Sequence, residues 1–124
     1  MVVLDTNTLI RFFTKDDLIK AEKVKKLIES DEELYVPDVV FPEIEYVLLS
    51  FSYNSSRQKV LIAFKFLASK NNIYVSKHVK NAIEIYENSS LDMADCIIAS
   101  SSKGNLLASF DRDLLLLKGV KVYW

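Results

Sequence analysis

The chain has 124 residues, half of them apolar, and carries 16 Lys and Arg against 17 Asp and Glu for a formal net charge of −1. That length suits one domain with a sizeable core, and the near-balanced charge argues against a strongly basic nucleic-acid binder. The single cysteine, Cys96, excludes an internal disulfide, the start lacks a basic-then-apolar leader, and no apolar run approaches a membrane span, so a cytoplasmic protein is expected.

Residues 2–5 read as a short, β-branched, buried strand that delivers Asp5 to its carboxyl end, where ligands sit in open parallel sheets. Thr14, with Asp17 in the capping-box position, is expected to open a helix carrying Leu18, Ala21, Val24, Leu27 and Ile28 at helical spacing. Leu34-Tyr35-Val36 is a second strand. A mostly apolar helix follows, from about Asp38 or Phe41 to about Ser52, and it accepts Pro42 only in or near its first turn, where the missing N–H costs least. Asn54-Ser55-Ser56 breaks the chain and caps a helix bearing Val60, Leu61, Phe64, Leu67 and Ala68. Ile73-Tyr74-Val75 is a third strand, and a helix over about 77–87 shows Val79, Ala82, Ile83 and Tyr86 on one face. Ser89-Ser90 is expected to cap a helix from Leu91 to about Ser102, with Gly104 as its stop. Leu106 to Ser109 and Val120 to Trp124 are the last strands. With only two Gly and two Pro in the chain, long linkers are not expected. Alternating strands and helices imply an α/β domain with a mainly parallel sheet flanked by helices.

Acids recur at the ends of these apolar segments: Asp5 after the first strand, Glu43 after Pro42, Asp92 and Asp95 at a helix start, Asp111 after Ser109-Phe110. If these five gather, the rest of the chain is mildly basic, because 16 Lys and Arg then outnumber the acids that remain. Two carboxylates about 5 Å apart repel by roughly 3 kcal/mol at an effective dielectric near 20. Hard divalent cations relieve such repulsion, and oxygen ligands favour Mg²⁺ or Mn²⁺ over zinc. His78 is the only histidine and Cys96 the only thiol, so no zinc cluster is available. Carboxylate-held metal beside a phosphate is a usual arrangement for phosphodiester hydrolysis. Each acid also has a structural explanation: Asp5 as a turn residue, Glu43 as a helix-dipole partner, Asp92 as a first-turn stabiliser with Ser89, Asp113 as a turn residue. Asp95 is harder to explain that way, because it lies on a packing face beside Ile98 and Ala99.

Val3-Leu4-Asp5-Thr6-Asn7, Pro42-Glu43-Ile44, Leu91 to Ala99 (LDMADCIIA) and Ser109-Phe110-Asp111-Arg112-Asp113, in that order, resemble the PIN-domain family, and most of all its small toxin ribonucleases of the VapC type. The resemblance spans the whole chain. It implies a PIN-like three-layer fold in a single domain over residues 1–124, and Mg²⁺- or Mn²⁺-dependent hydrolysis of RNA. Carried over by position, it makes Asp5, Glu43, Asp95 and Asp111 the catalytic, metal-coordinating acids, with Asn7 and Ser109 orienting them or holding water. Relatives usually have threonine where this chain has Ser109, and the hydroxyl is kept. Asp92 and Asp113 match positions that are acidic in some relatives. A small antitoxin partner is also implied.

Arg11, Lys15 and Arg112 follow closely on the motifs and are candidates for phosphate contacts, with solvated surface as the alternative. His78 reads as a surface or capping residue and Cys96 as packing. Phe41, Tyr46, Phe51, Tyr53 and Phe64 are spaced for core or subunit contact, and the wide apolar arc of residues 41–66 predicts a homodimer or a groove for a partner peptide. A non-catalytic or partner-dependent PIN-fold interaction module is the main alternative. A haloacid-dehalogenase phosphatase is disfavoured, because Asn7 stands where that chemistry needs a second acid.

Overall fold

The computed structural model describes residues 1–124 and contains twelve elements. They fall into two compact units, Met1–Ser76 and Lys77–Trp124. The first unit runs β1 (Val2–Val3), α1 (Thr6–Thr14), α2 (Leu18–Ile28), β2 (Leu34–Tyr35), α3 (Val40–Leu49), α4 (Arg57–Ser69) and β3 (Ile73–Tyr74). The second runs α5 (Lys77–Glu87), α6 (Met93–Ser101), β4 (Leu106–Leu107), α7 (Arg112–Leu115) and β5 (Lys121–Val122). No helix is long and apolar enough to cross a membrane.

In the first unit β1, β2 and β3 form a parallel sheet in that order, with Val2 opposite Leu34 and Leu34 opposite Ile73. Parallel neighbours need crossovers, and the helices between the strands supply them. The Leu34–Ile73 face is buried, whereas Val3 and Tyr74 on the other face are 62% and 57% exposed. The expectation of a buried first strand over residues 2–5 is therefore corrected. Only Val2 and Val3 pair, both remain accessible, and Leu4 alone is sealed in the core. The second unit holds a separate parallel pair, β4 with β5, and packs α5 against α6.

The helices show where sequence signals compete. Residues 6–14 form α1, which the pattern of apolar residues did not mark. Asp5 caps it, and its end is closed by the Thr14 hydroxyl donating to Ile10 O at 2.8 Å and by Lys15 in the left-handed region at φ 56°. Thr14 thus ends one helix rather than opening the next, and Asp17 is the cap of α2, accepting the Lys20 N–H at 3.1 Å. Pro42 lies in the first turn of α3, as its lack of an N–H requires. Ser56 caps α4. The cap of α6 is Asp92 and not Ser89 or Ser90; the helix starts at Met93, and the Ser89 hydroxyl donates to Ile85 O at 2.7 Å and accepts the Leu91 N–H at 3.3 Å. Asp113, a candidate turn residue in the sequence, lies in the one-turn α7, which Asp111 caps.

The core of the first unit centres on Phe41 and Phe64, both fully buried with ring centroids 5.4 Å apart, together with Leu9, Ile44, Val60 and Leu67. The aromatic set marked in the sequence therefore divides, since Tyr46 and Phe51 are exposed and Tyr53 donates its hydroxyl to Asp16. Cys96 is fully buried, Tyr86 almost so, and His78 is exposed on α5.

Candidate active site

In the first unit, Asp5 leaves the carboxyl end of β1 and becomes the N-cap of α1, its Oδ1 accepting the Thr8 N–H at 2.9 Å. Hydrogen bonds from the Thr8 side chain and then from its backbone N–H hold the Asp5 carboxyl below the ordinary value, because both stabilise the anion more than the acid. The next residue, Thr6, donates its hydroxyl to Glu43 Oε1 at 2.6 Å. One short segment thus ties two of the candidate acids together, with Asp5 fixed by capping and Glu43 tethered by its neighbour. Thr6 escaped sequence reasoning; its only signal was its place between an acid and an asparagine at a helix start. Asn7 is exposed on the first turn of α1. Glu45 faces away from this site, buried beside Arg57 at 4.0 Å.

In the second unit, Asp92 Oδ1 accepts the Asp95 N–H at 2.8 Å, and Asp111 Oδ1 accepts the Leu114 N–H at 3.0 Å. Ser109 accepts the Asp111 N–H on its hydroxyl at 2.9 Å, which fixes the backbone at that acid. Asp95, half-buried in the first turn of α6, has its carboxyl pushed above the ordinary range. Burial is the largest cause, and the negative charges of Asp92 and Asp111 add to it. Asp92 and Asp111 are thus the two carboxylates whose charge reaches Asp95. Asp113 and Arg112 lie exposed on α7.

A carboxylate that caps a helix spends one oxygen on a backbone N–H and keeps the other for a further ligand. Asp92 and Asp111 are in that condition, and Asp5 also takes a bond from the Thr8 side chain. No three His, Cys, Asp or Glu side chains close into a ready-made metal cluster. The donor set is nevertheless of the right chemistry for a hard cation, consisting of carboxylate oxygens with the one thiol sealed in the core.

Of the cationic candidates, Arg11 is bound to Asp16 at 2.7 Å, and the same Asp16 oxygen accepts the Tyr53 hydroxyl at 2.7 Å. The Tyr53 hydrogen bond is the main reason the Asp16 carboxyl is held low. Lys15 lies on the rim of an apolar groove of about 600 Å³ lined by Phe12, Phe13, Leu48, Ile62 and Phe66.

The sequence profile of the PIN domain matches residues 2–119. The chain belongs to the PIN domain family. PIN domains are in general nucleases and typically use divalent metals, and the acidic, cysteine-poor donor set found here suits that chemistry. None of the curated proteins matches this PIN domain.

Proposed function

We propose that this PIN domain is a Mg²⁺- or Mn²⁺-dependent endoribonuclease acting in the cytoplasm, and that Asp5, Glu43, Asp95 and Asp111 are its metal ligands. The observation that carries the reading is Asp95. A carboxyl whose charged form is disfavoured first by burial and then by the charges of Asp92 and Asp111 is favoured by a positive charge beside it. A bound Mg²⁺ or Mn²⁺ would supply that charge, together with Lewis-acid polarisation of the phosphodiester and an activated water.

The chain's own residues have definable tasks in this proposal. Capping bonds hold Asp5 and Asp111 in fixed orientations, Thr6 steers Glu43, and Ser109 fixes the backbone at Asp111. In this reading water is the attacking group, and no side chain need act as a covalent nucleophile. Asn7, Asp92 and Asp113 are supporting residues, and Lys15 and Arg112 are candidate phosphate contacts.

Purified protein incubated with a mixed cellular RNA pool and Mg²⁺ or Mn²⁺ tests this. Cleavage is expected with metal and none with EDTA. Asp95→Asn should reduce it by at least about 100-fold, since even indirect partners of metal ligands contribute roughly 10- to 100-fold. Failure of a folded, metal-binding protein to cut any RNA or DNA would overturn the reading.

The finer assignment, a toxin held by a small antitoxin and acting as a homodimer, is supported by the apolar groove and by exposed Tyr46 and Phe51 on and after α3. Exposed aromatic surface of this kind commonly marks a protein contact. The same groove favours the second reading, a PIN-fold interaction module. Cleavage separates the two.

A further inference from the structure

Phe110 is 90% exposed and Trp124 is 63% exposed, yet the two rings stack on one another with centroids 5.0 Å apart and planes 26° from parallel. The parallel pairing of β4 and β5 explains why they meet. Leu107 lies opposite Val122, so both strands release their chains at the same end, and Phe110 and Trp124 follow a few residues later. The Tyr123 N–H donates to Leu107 O at 2.9 Å and locks that end, while the Tyr123 ring sits edge-on to Trp124 at 5.5 Å. Phe110 stands directly between Ser109 and Asp111. Arg112 follows Phe110 by two residues and Lys121 precedes Trp124 by three, both exposed and neither in an ion pair.

A flat, exposed aromatic surface on segments that also carry exposed cations matches one kind of ligand well. We propose that Phe110 and Trp124 form a stacking platform for an unpaired RNA base next to the scissile phosphate, with Arg112 and Lys121 taking flanking phosphates. The proposal rests on the nuclease reading and deepens it by naming the residues that would hold a base. Bases within a duplex are already stacked and offer no free face, so the platform selects unpaired segments.

Trp124 is the only tryptophan of the chain, so its emission reports the platform directly. The Asp95→Asn protein, impaired in cleavage, is titrated with a short unpaired RNA oligonucleotide, the same sequence as a duplex, and an abasic strand of equal length. The unpaired strand should quench Trp124 and the other two should not. Phe110→Ala should weaken binding about 5- to 100-fold, in the range of one lost base stack, and Phe110→Tyr should restore it. Equal affinity of Phe110→Ala, or equal quenching by the abasic strand, overturns the platform. So does a Phe110→Ala protein that loses self-association in sedimentation while binding RNA as before, which would mark the rings as a protein contact. Cleavage by the unmutated protein is scored separately. Cleavage with an unchanged KM in Phe110→Ala rejects the platform and leaves the nuclease standing. Binding and quenching without any cleavage reject the nuclease and leave the platform.

Discussion

Two aspartates shift in opposite directions, and their contributions to stability have opposite signs. The Asp5 carboxyl is held below its ordinary value of 3.8. Its contribution is therefore fully present above that value and is lost as pH falls through the lowered folded value. The Asp95 carboxyl is held above 3.8, so the native protein binds its proton more tightly than the unfolded chain does. Below 3.8 it carries no penalty; the penalty grows as pH rises through the raised folded value and stays constant beyond it. Without metal, Asp95→Asn should raise Tm at pH 7 by a few degrees, and the gain should vanish near pH 3. Asp5→Asn keeps a capping side chain, whereas Asp5→Ala should cost about 1 kcal/mol through the lost cap. Thermal melts of the three variants across pH 3–7 check both signs. An Asp95→Asn gain that persists at pH 3 would place its origin in packing rather than charge.

The helices of the first unit are joined through aromatic contacts that the sequence partly revealed. Phe41 on α3 and Phe64 on α4 share the core, so Phe64→Ala should lower stability by about 3–5 kcal/mol, a large part of the ~5–15 kcal/mol typical of a domain. Urea unfolding measures it, and a loss under about 1 kcal/mol would mean that this pair does not organise the unit. Phe64 was legible because its neighbours repeat at helical spacing. Helix α1 was not, because Thr6-Asn7-Thr8 looks like a turn and only the tertiary burial of Leu9 and Ile10 makes a helix of it. Caps were legible in type but not in address. At the start of α6, three candidate residues stand within four positions, and the helix begins two residues later than the sequence suggests, at Met93, so the free Asp95 N–H falls to Asp92 while Ser89 accepts the Leu91 N–H. What was legible from order and spacing is where the acids lie on the elements: Asp5, Asp92 and Asp111 cap helices, and Glu43 and Asp95 lie in first turns. The links between them, Thr6 to Glu43 and Ser109 to Asp111, depend on side-chain direction, which spacing does not fix.

For the molecule as a whole, the proposed ligands divide evenly, Asp5 and Glu43 belonging to residues 1–76 and Asp95 and Asp111 to residues 77–124. This division makes metal binding a thermodynamic test of the four-acid proposal. A cation that binds only the folded protein adds about 2.7 kcal/mol at a hundredfold excess over its Kd, enough to raise Tm by several degrees. Mn²⁺ should therefore stabilise the unmutated protein, and EDTA should reverse the effect. Glu43→Gln and Asp95→Asn then report whether their carboxylates serve the same ion. If they do, either substitution removes most of the Mn²⁺-induced shift, and the double variant loses hardly more, because the second change finds no bound ion to release. If each acid acts on its own, the two losses add. Additive losses, or a shift that survives Asp95→Asn intact, would reject the shared set of four ligands even in a protein that binds metal.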